Sequence, residues 1–384
     1  MPYRWAVLAA GTLSQASFSA LAIGLPVLVP TLREEYGLSL GQIGVLLAAE
    51  WVGAVLTMLP WGIAADRFGE RLVLGLGLGA CSAFIVGAAY ATDFESLVFL
   101  LALAGGAGAS VNSASGRAVM HWFGAEERGL ALGVRQTAVP LGGLIAALVV
   151  PQLASAGDAT SAFLFFAAFC AFGAVVGVVV IRSGESEDHE LEQSTVARTL
   201  RDGRLWRLSL GSGVYVYAQI AVIGFGVVFL HDEHGLSARD AALVIAGAQV
   251  LAVGVRIATG RWSDVVGSRI GPLRRLGVVV AVCLAAVAAL AGGPLWLLIP
   301  ALALAGGLSM GWNALAFAAA AELAGPARSG AAIGFQQSVL SGIAIVAPIV
   351  FAATVSKTSW GLAFLLAAFV PLIGRFALRP LRDY

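Results

Sequence analysis

Hydrophobic residues in this chain occur in long uninterrupted runs that are separated by short polar stretches. A helix needs about 20 apolar residues to cross a bilayer, and the chain contains twelve runs of roughly that size. A membrane β-barrel is disfavoured, because its strands would alternate apolar and polar residues over about ten positions. The pattern therefore predicts an all-α membrane protein. Its spans, numbered 1 to 12, are expected at 5–31, 41–65, 72–91, 96–120, 128–152, 160–181, 206–230, 240–262, 274–292, 295–321, 327–353 and 360–378.

The second half of the chain repeats landmarks of the first half in the same order. The string Leu-Ala-Leu-Ala-Gly-Gly occurs at Leu101–Gly106 and again, 201 residues later, at Leu302–Gly307. Parallel repeats of this kind are typical of transporters whose halves rock around a central site. We therefore expect an N-terminal six-helix bundle at 1–181, a cytoplasmic linker at 182–205 and a C-terminal six-helix bundle at 206–384.

Composition and charge agree with a multi-pass membrane protein. The chain is 59% hydrophobic and 12% charged, which is too apolar for a soluble globular protein. Of its 23 Lys and Arg residues, 18 fall at one set of helix ends and loops, and only Arg33, Arg239 and Lys357 fall at the other. The positive-inside rule then places both termini in the cytoplasm. We expect a monomer in the bacterial cytoplasmic membrane, surrounded by lipid, with no cofactor, metal or nucleic-acid partner.

A short polar motif joins spans 2 and 3. It contains Gly62, Asp66, Arg67, Gly69 and Arg71 in the string Gly-Ile-Ala-Ala-Asp-Arg-Phe-Gly-Glu-Arg. This string resembles the signature loop of the major facilitator superfamily, in which a Gly is followed by an Asp with an Arg and then by a Gly and basic residues. Together with the twelve spans and the internal repeat, the resemblance covers the whole chain.

The resemblance also has a weaker second copy and one departure. Gly260, Asp264, Gly267 and Arg269 repeat the motif after span 8, whereas Glu70 stands in the first copy where the family usually has a basic residue. In this family such loops act as a latch that holds the outward-facing state. The alternative is an ordinary turn whose charges only fix topology. The resemblance assigns the latch to Gly62, Asp66, Arg67, Arg71, Gly260 and Asp264, with Arg117 and Arg128 as candidate partners.

Three ionisable residues stand out at depth in the predicted spans: Glu50 in span 2, Arg135 in span 5 and Arg256 in span 8. Charges at membrane depth cost about 2.5–3.5 kcal/mol each on insertion scales, so they usually face a cavity or a partner. A guanidinium binds a carboxylate or another oxyanion in a bidentate fashion, which indicates an anionic substrate. The alternative is that both Arg side chains extend along the helix to the cytoplasmic headgroups.

The family resemblance places spans 5 and 8 on a central cavity. Arg256 is similar to the span-8 Arg of monocarboxylate porters, although their acidic neighbour one turn earlier is replaced here by Ala252. Desolvation favours the neutral form of Glu50, which makes it a candidate proton carrier. The alternatives for Glu50 are an ion pair with an Arg or a structural hydrogen bond.

Amide and phenol side chains complete the predicted substrate site. Each could instead serve helix–helix hydrogen bonding. They are Gln15, Asn112, Gln136, Tyr215, Tyr217, Gln219, Gln249, Asn313, Gln336 and Gln337.

The function predicted from sequence is secondary transport of a small organic anion by alternating access, with proton symport. One alternative is proton-antiport efflux of amphipathic drugs or metabolites, and another is a non-transporting membrane sensor. An enzyme is not expected, because no nucleophile–base pair or metal constellation is visible in the sequence. The loop His231-Asp-Glu-His234 is interpreted as solvated rather than metal-binding.

Overall fold

A computed structural model describes residues 3–123, 128–154, 158–182, 201–324 and 329–381. All the regular structure in these residues is helical. The helices are α1 (Tyr3–Tyr36), α2 (Leu40–Phe68), α3 (Glu70–Ala89), α4 (Phe94–Gly108), α5 (Ser110–Trp122), α6 (Arg128–Gln136), α7 (Ala138–Ala154), α8 (Thr160–Val180), α9 (Gly203–Gln219), α10 (Gly226–His234), α11 (Ala238–Val266), α12 (Ile270–Ala289), α13 (Leu295–Ser309), α14 (Trp312–Ala324), α15 (Ser329–Lys357) and α16 (Trp360–Ala377).

The described helices confirm the prediction of twelve spans. Eleven segments are each long and apolar enough to cross a membrane, and α9 and α10 supply the twelfth as a pair bent by 44°. A π-helical turn at Ile220–Gly224 lies just before this bend, and π turns are a known cause of helix kinks. Span 1 is longer than predicted and ends at Tyr36, because the polar residues after its apolar run continue the helix.

Span 5 is interrupted, which the hydrophobic pattern did not predict. Helix α6 ends at Gln136, and α7 begins at Ala138. Pro140 has no backbone N–H and so cannot donate to the carbonyl of Gln136, four residues earlier. The backbone tightens instead, with the Thr137 N–H bonding the Val134 carbonyl at 3.1 Å. The proline therefore places the break at Thr137, two residues after Arg135.

Spans 4 and 10 are interrupted at equivalent places in the two copies of the repeat. Helix α4 ends at Gly108, and α13 ends at Ser309, which is again 201 residues later. Carbonyl groups in the last turn of a helix lack an intrahelical donor and need other partners. The repeat therefore extends from sequence to local backbone structure.

Contacts between helices divide the chain into two units. Unit 1 contains Met1–Asp188 together with Leu236–Ala246, and unit 2 contains His189–Gly235 together with Gly247–Tyr384. Most of the linker predicted at 182–205 lies outside the described residues. The three-part division made from the sequence therefore stays a prediction.

In unit 1, α1 packs against α7 and α8, and α2 packs against α4. The contact of α2 with α4 depends on two glycines. A methyl group at Gly53 would overlap the backbone of Ala102, and one at Gly105 would overlap the backbone of Glu50. Small residues allow this close approach of membrane helices, and it sets the backbone of Glu50 directly against α4.

In unit 2, α12 packs against α16, and α9 packs against α15 and α16. Tyr215 of α9 is fully buried in this packing. Its hydroxyl donates to the carbonyl oxygen of Leu273 at 3.1 Å, so its polar end is satisfied between two helices.

The two signature motifs share a backbone feature. Gly69 and Gly267 directly follow α2 and α11, with φ of 82° and 64°. Positive φ is readily available only to glycine, so the turn itself explains why both copies keep this residue.

Candidate functional site

Arg135 joins three spans of unit 1. It lies in the last turn of α6, where the helix dipole favours a cation. Its Nη1 donates to Oε1 of Gln15 in α1 at 3.2 Å and to Oγ of Ser115 in α5 at 3.1 Å. Only 9% of the residue is exposed, and its buried Nε has no hydrogen-bond partner among the described residues. The guanidinium is thus held by neutral groups and points into unit 1 rather than outward.

Glu50 is buried where α2 crosses α4, with 3% of its surface exposed. Its Oε2 makes no hydrogen bond within the described part of the chain. The ion pairs found among the described residues do not include one between Glu50 and Arg135. An ionisable group at this depth usually faces a cavity or a partner.

Arg256 is the buried guanidinium of unit 2, with 6% of the residue exposed. Its Nε donates to the carbonyl oxygen of Met310 at 3.1 Å, and the nearby Thr259 hydroxyl donates to the carbonyl of Gly311 at 3.1 Å. Both acceptors lie in the interruption between α13 and α14. Side chains of α11 therefore satisfy the carbonyls that this break leaves free.

Unit 1 has the same arrangement with different side chains. The Thr57 hydroxyl and the Trp61 indole N–H of α2 both donate to the carbonyl of Gly106, at 2.7 and 2.8 Å. Gly106 lies in the last turn of α4. Sequence reasoning missed Thr57, Trp61 and Thr259, because a Thr or Trp within an apolar run does not stand out before the helix breaks are known.

The predicted amides of unit 2 are incompletely bonded. Gln336 of α15 donates from Nε2 to Oγ of Ser212 in α9 at 3.1 Å, but its Oε1 has no partner among the described residues. The same holds for both amide atoms of Gln249, for Oδ1 of Asn313 and for Oε1 of Gln219. These positions offer unused hydrogen-bonding capacity inside unit 2.

For the remaining predicted polar residues, the structure offers less support for a role in substrate binding. Tyr215 is bonded within helix packing, as described above, and the ring of Tyr217 packs against Phe351, with ring centroids 6.3 Å apart. Asn112, Gln136 and Gln337 are only partly buried. Their assignment to a substrate site stays a prediction.

Two ion pairs occupy the region assigned to the latch. In unit 1, Arg117 of α5 pairs with Glu70 at the start of α3, with Nε and Oε1 3.0 Å apart. In unit 2, Arg269 precedes α12 and pairs with Glu322 of α14 at 2.9 Å, and it also bonds Ser263. The unusual Glu70 therefore has a defined role: it binds an Arg that the sequence interpretation offered to Asp66.

Other latch residues are less informative. The side chains of Asp66, Arg67, Arg128 and Asp264 lie outside the part of the chain that the structure describes. Gly62 and Gly260 are partly exposed, and no described atom lies within 4 Å of the place where a Cβ on either would be. Arg71 is exposed. Neither glycine therefore makes a close helix contact among the described residues.

Cys81 of α3 and Cys170 of α8 are buried thiols of unit 1. The Sγ of Cys170 donates to the carbonyl oxygen of Ser17 in α1 at 3.5 Å. Outside the membrane spans, a ring nitrogen of His234 lies 2.8 Å from the carbonyl oxygen of Ala291. The prediction of a loop at His231–His234 is wrong, because these residues form the last turn of α10, which Gly235 caps.

Comparison with known proteins identifies the family. A family model described as the Major Facilitator Superfamily matches residues 7–348. The chain belongs to this superfamily. It is accordingly a multi-pass cell-membrane transporter and not an enzyme, as the sequence predicted.

Individual superfamily members resemble the chain to different extents. An uncharacterized MFS-type transporter of Mycobacterium tuberculosis, MT3072, is 34% identical over 96% of this chain and 83% of its own length. The hexuronate transporter of Bacillus subtilis is 25% identical over 74% of this chain and 69% of its own length. The solved structure of a bacterial homologue of the human lysosomal transporter Spinster covers 99% of this chain and 97% of its own, with a TM-score of 0.80 and 17% identity. That last likeness concerns the fold alone.

Proposed function

We propose that this transporter moves a small organic anion, a carboxylate, across the membrane by alternating access with proton symport. The observation that carries the proposal is the buried guanidinium of Arg135, which binds Gln15 and Ser115 but no carboxylate among the described residues. A buried charge is costly unless it is paired. The two oxygens of a carboxylate match the guanidinium fork, so a transported carboxylate supplies the missing negative charge.

Arg256 supports the same proposal from the other unit. Its bond to the Met310 carbonyl fixes the plane of the guanidinium, which suits recognition of a planar carboxylate. A hexuronate is itself a carboxylate, so the similarity to the Bacillus subtilis transporter points the same way. Arg256 is therefore a second candidate for binding the anion during its passage.

Glu50 is the proposed site of proton coupling. The group is buried, and one of its oxygens lacks a hydrogen-bond partner among the described residues. Protonation of such a carboxyl removes the cost of carrying its charge through the membrane. In this proposal, a proton that enters together with the anion offsets its negative charge, so that the transport cycle moves no net charge.

The test is uptake by purified protein in liposomes against a panel of radiolabelled acids, neutral solutes and amphipathic cations, with and without a pH gradient. Arg135→Gln and Arg256→Gln are compared with Arg239→Gln, which neutralises an exposed Arg. Carboxylate uptake that the first two variants abolish, and that the control retains, supports the proposal.

Two outcomes overturn it. Movement of amphipathic cations or neutral drugs with no carboxylate uptake indicates proton-antiport efflux instead. If the folded, reconstituted protein moves none of the solutes, the result favours the alternative of a non-transporting membrane sensor.

A further inference from the structure

Three amide side chains of unit 2 carry buried polar atoms that find no partner among the described residues. Gln249 is completely buried, and neither its Oε1 nor its Nε2 is hydrogen-bonded. Gln336 is also completely buried and leaves Oε1 unpaired, while its Nε2 bonds Ser212. Asn313 leaves Oδ1 unpaired. Together these three residues hold three carbonyl-type acceptors and one amide donor that are unpaired among the described residues, and Oε1 of Gln219 is a fourth such acceptor in unit 2.

Such groups are uncommon because a buried amide loses its bonds to water without gaining others. At Gln249 the loss is complete, since both atoms are unpaired. A Leu or Met would fill a similar volume without this cost. Amides at these positions therefore favour a partner outside the described residues.

Two of the three amides, Gln249 and Asn313, lie on the elements that hold Arg256, whereas Gln336 lies on α15. Gln249 is seven residues before Arg256 on α11, so the two share a helix face about 10 Å apart along the axis. Asn313 is in the first turn of α14, three residues after Met310, whose carbonyl binds Arg256. Hydrogen-bonding capacity and a fixed positive charge thus occur on the same two neighbouring spans.

We propose that these amides bind hydroxyl groups of the transported anion, so that the substrate is a polyhydroxylated carboxylate, of the chemical class of the sugar acids. This inference rests on the proposed function, because a guanidinium group must bind the carboxylate end. A hydroxyl group both donates and accepts a hydrogen bond, and a primary amide offers both as well. A site that bonds hydroxyl groups rejects analogues that lack them, since its own buried groups would then stay unpaired.

The experiment compares ligands that separate charge from hydroxyl groups. Purified transporter in detergent is titrated with gluconate, with hexanoate and with sorbitol, and affinity is obtained from the ligand-dependent rise in Tm. Gluconate carries the charge and the hydroxyl groups, hexanoate has the charge and the same carbon number, and sorbitol has the hydroxyl groups alone. We expect gluconate to bind on the order of 10- to 100-fold more tightly than either of the others.

Variants assign the effect to the amides. Gln249→Met keeps the length of the side chain and removes both polar atoms. It is expected to lower gluconate affinity to the level of hexanoate, on the order of 10-fold or more, while the Tm without ligand is unchanged or raised. Gln152→Met, at an exposed position, is the matched control and should leave the affinity unchanged. Gln336→Met provides a second test if the first variant does not fold.

The results distinguish this inference from the function on which it rests. Equal affinity for gluconate and hexanoate, or full gluconate affinity in folded Gln249→Met and Gln336→Met, overturns the role of the amides and leaves anion transport intact. If neither anion binds better than sorbitol, the proposed function itself fails. A lower Tm of ligand-free Gln249→Met would mean that the amide has a structural partner, which also contradicts the inference.

Discussion

Glu70 and Arg117 form an ion pair in which Oε1 and Nε are 3.0 Å apart. The carboxyl side chain is only 3% exposed and the guanidinium side chain 25% exposed. In unit 2 the pair of Arg269 with Glu322 has the same position, between the start of span 9 and the second half of span 10, but the charges are exchanged. In each unit an ion pair therefore joins the third span to the fourth. The third span supplies the Glu in unit 1 and the Arg in unit 2.

Loss of the unit 1 pair should destabilise the protein. Glu70→Gln leaves Arg117 without its carboxylate, and we expect a loss of about 1–3 kcal/mol, measured as a lower Tm in detergent. Glu95→Gln, at an exposed position, is the control and should change little. The exchanged double variant Glu70→Arg with Arg117→Glu should regain much of the stability. A double variant no more stable than Glu70→Gln would contradict the interpretation.

The bond of Arg256 to the broken span 10 gives a second prediction. Arg256→Lys keeps the positive charge but removes the Nε donor and the planar fork. Transport of the substrate identified in the liposome test is expected to fall on the order of 10- to 100-fold. Thr259→Val, which removes the neighbouring hydroxyl, should cost about 0.5–1.5 kcal/mol of stability. Unchanged uptake in Arg256→Lys would show that charge alone is sufficient.

The close contact of α2 with α4 predicts the effect of a single methyl group. Gly105→Ala would overlap the backbone of Glu50 and should cost about 1–3 kcal/mol, seen as a lower Tm. Gly79→Ala is the control, because no described atom lies within 4 Å of its added carbon. That variant should be neutral or stabilising, since Ala favours helix by up to about 1 kcal/mol. Equal Tm values for the two variants would argue against the tight crossing.

Glu50 provides the prediction on coupling. Glu50→Gln keeps the shape of the side chain but cannot release a proton. We expect it to abolish accumulation driven by a pH gradient while substrate counterflow, which needs no net proton movement, continues. Both rates are measured in the same liposomes with the labelled substrate. Intact gradient-driven accumulation would remove Glu50 from the coupling role.

A helix cap outside the membrane spans predicts a dependence on pH. The Ser96 N–H donates to the Asp93 carboxylate at 2.8 Å, and this bond lowers the pKa of Asp93 below its ordinary value of 3.8. Its stabilisation is present above the ordinary pKa and is lost as the pH falls through the lowered one. Asp93→Ala should therefore lower the Tm at pH 7, with a difference that shrinks below about pH 4.

The control for this cap is an uncharged one. Ser359 caps α16 by accepting from the Leu362 N–H at 3.2 Å. Ser359→Ala should lower the Tm by an amount that does not depend on pH. If the effect of Asp93→Ala is equally independent of pH, the carboxylate charge does not contribute to its cap.

Much of the fold could be predicted from the sequence, because the length of an apolar run determines whether a helix spans a bilayer. The twelve spans and the family followed from that pattern, the repeat and the signature motif. The interruptions of spans 4, 5 and 10 did not, although Pro140 was visible. Hydropathy reports only how apolar a segment is. An interruption of a helix depends on whether its backbone carbonyl groups find hydrogen-bond donors, and hydropathy does not record this.

The candidate site was predicted less completely. Arg135, Glu50 and Gln249 were found because buried polar groups are exceptional among apolar residues, and that signal does not require a structure. Their partners were harder to identify. Ser115 and Met310 give no signal in the sequence, since one is a common helical Ser and the other acts only through its backbone carbonyl.

The matching interruptions of spans 4 and 10 bear on how this protein arose. Each is capped by side chains from the span two positions earlier, yet the residues that do so are Thr57 and Trp61 in one copy and Arg256 and Thr259 in the other. Both copies thus share the interruption of the helix, but the side chains that bond its free carbonyl groups differ. Duplication of a six-span unit that already contained the gap accounts for both copies, whose capping side chains now differ.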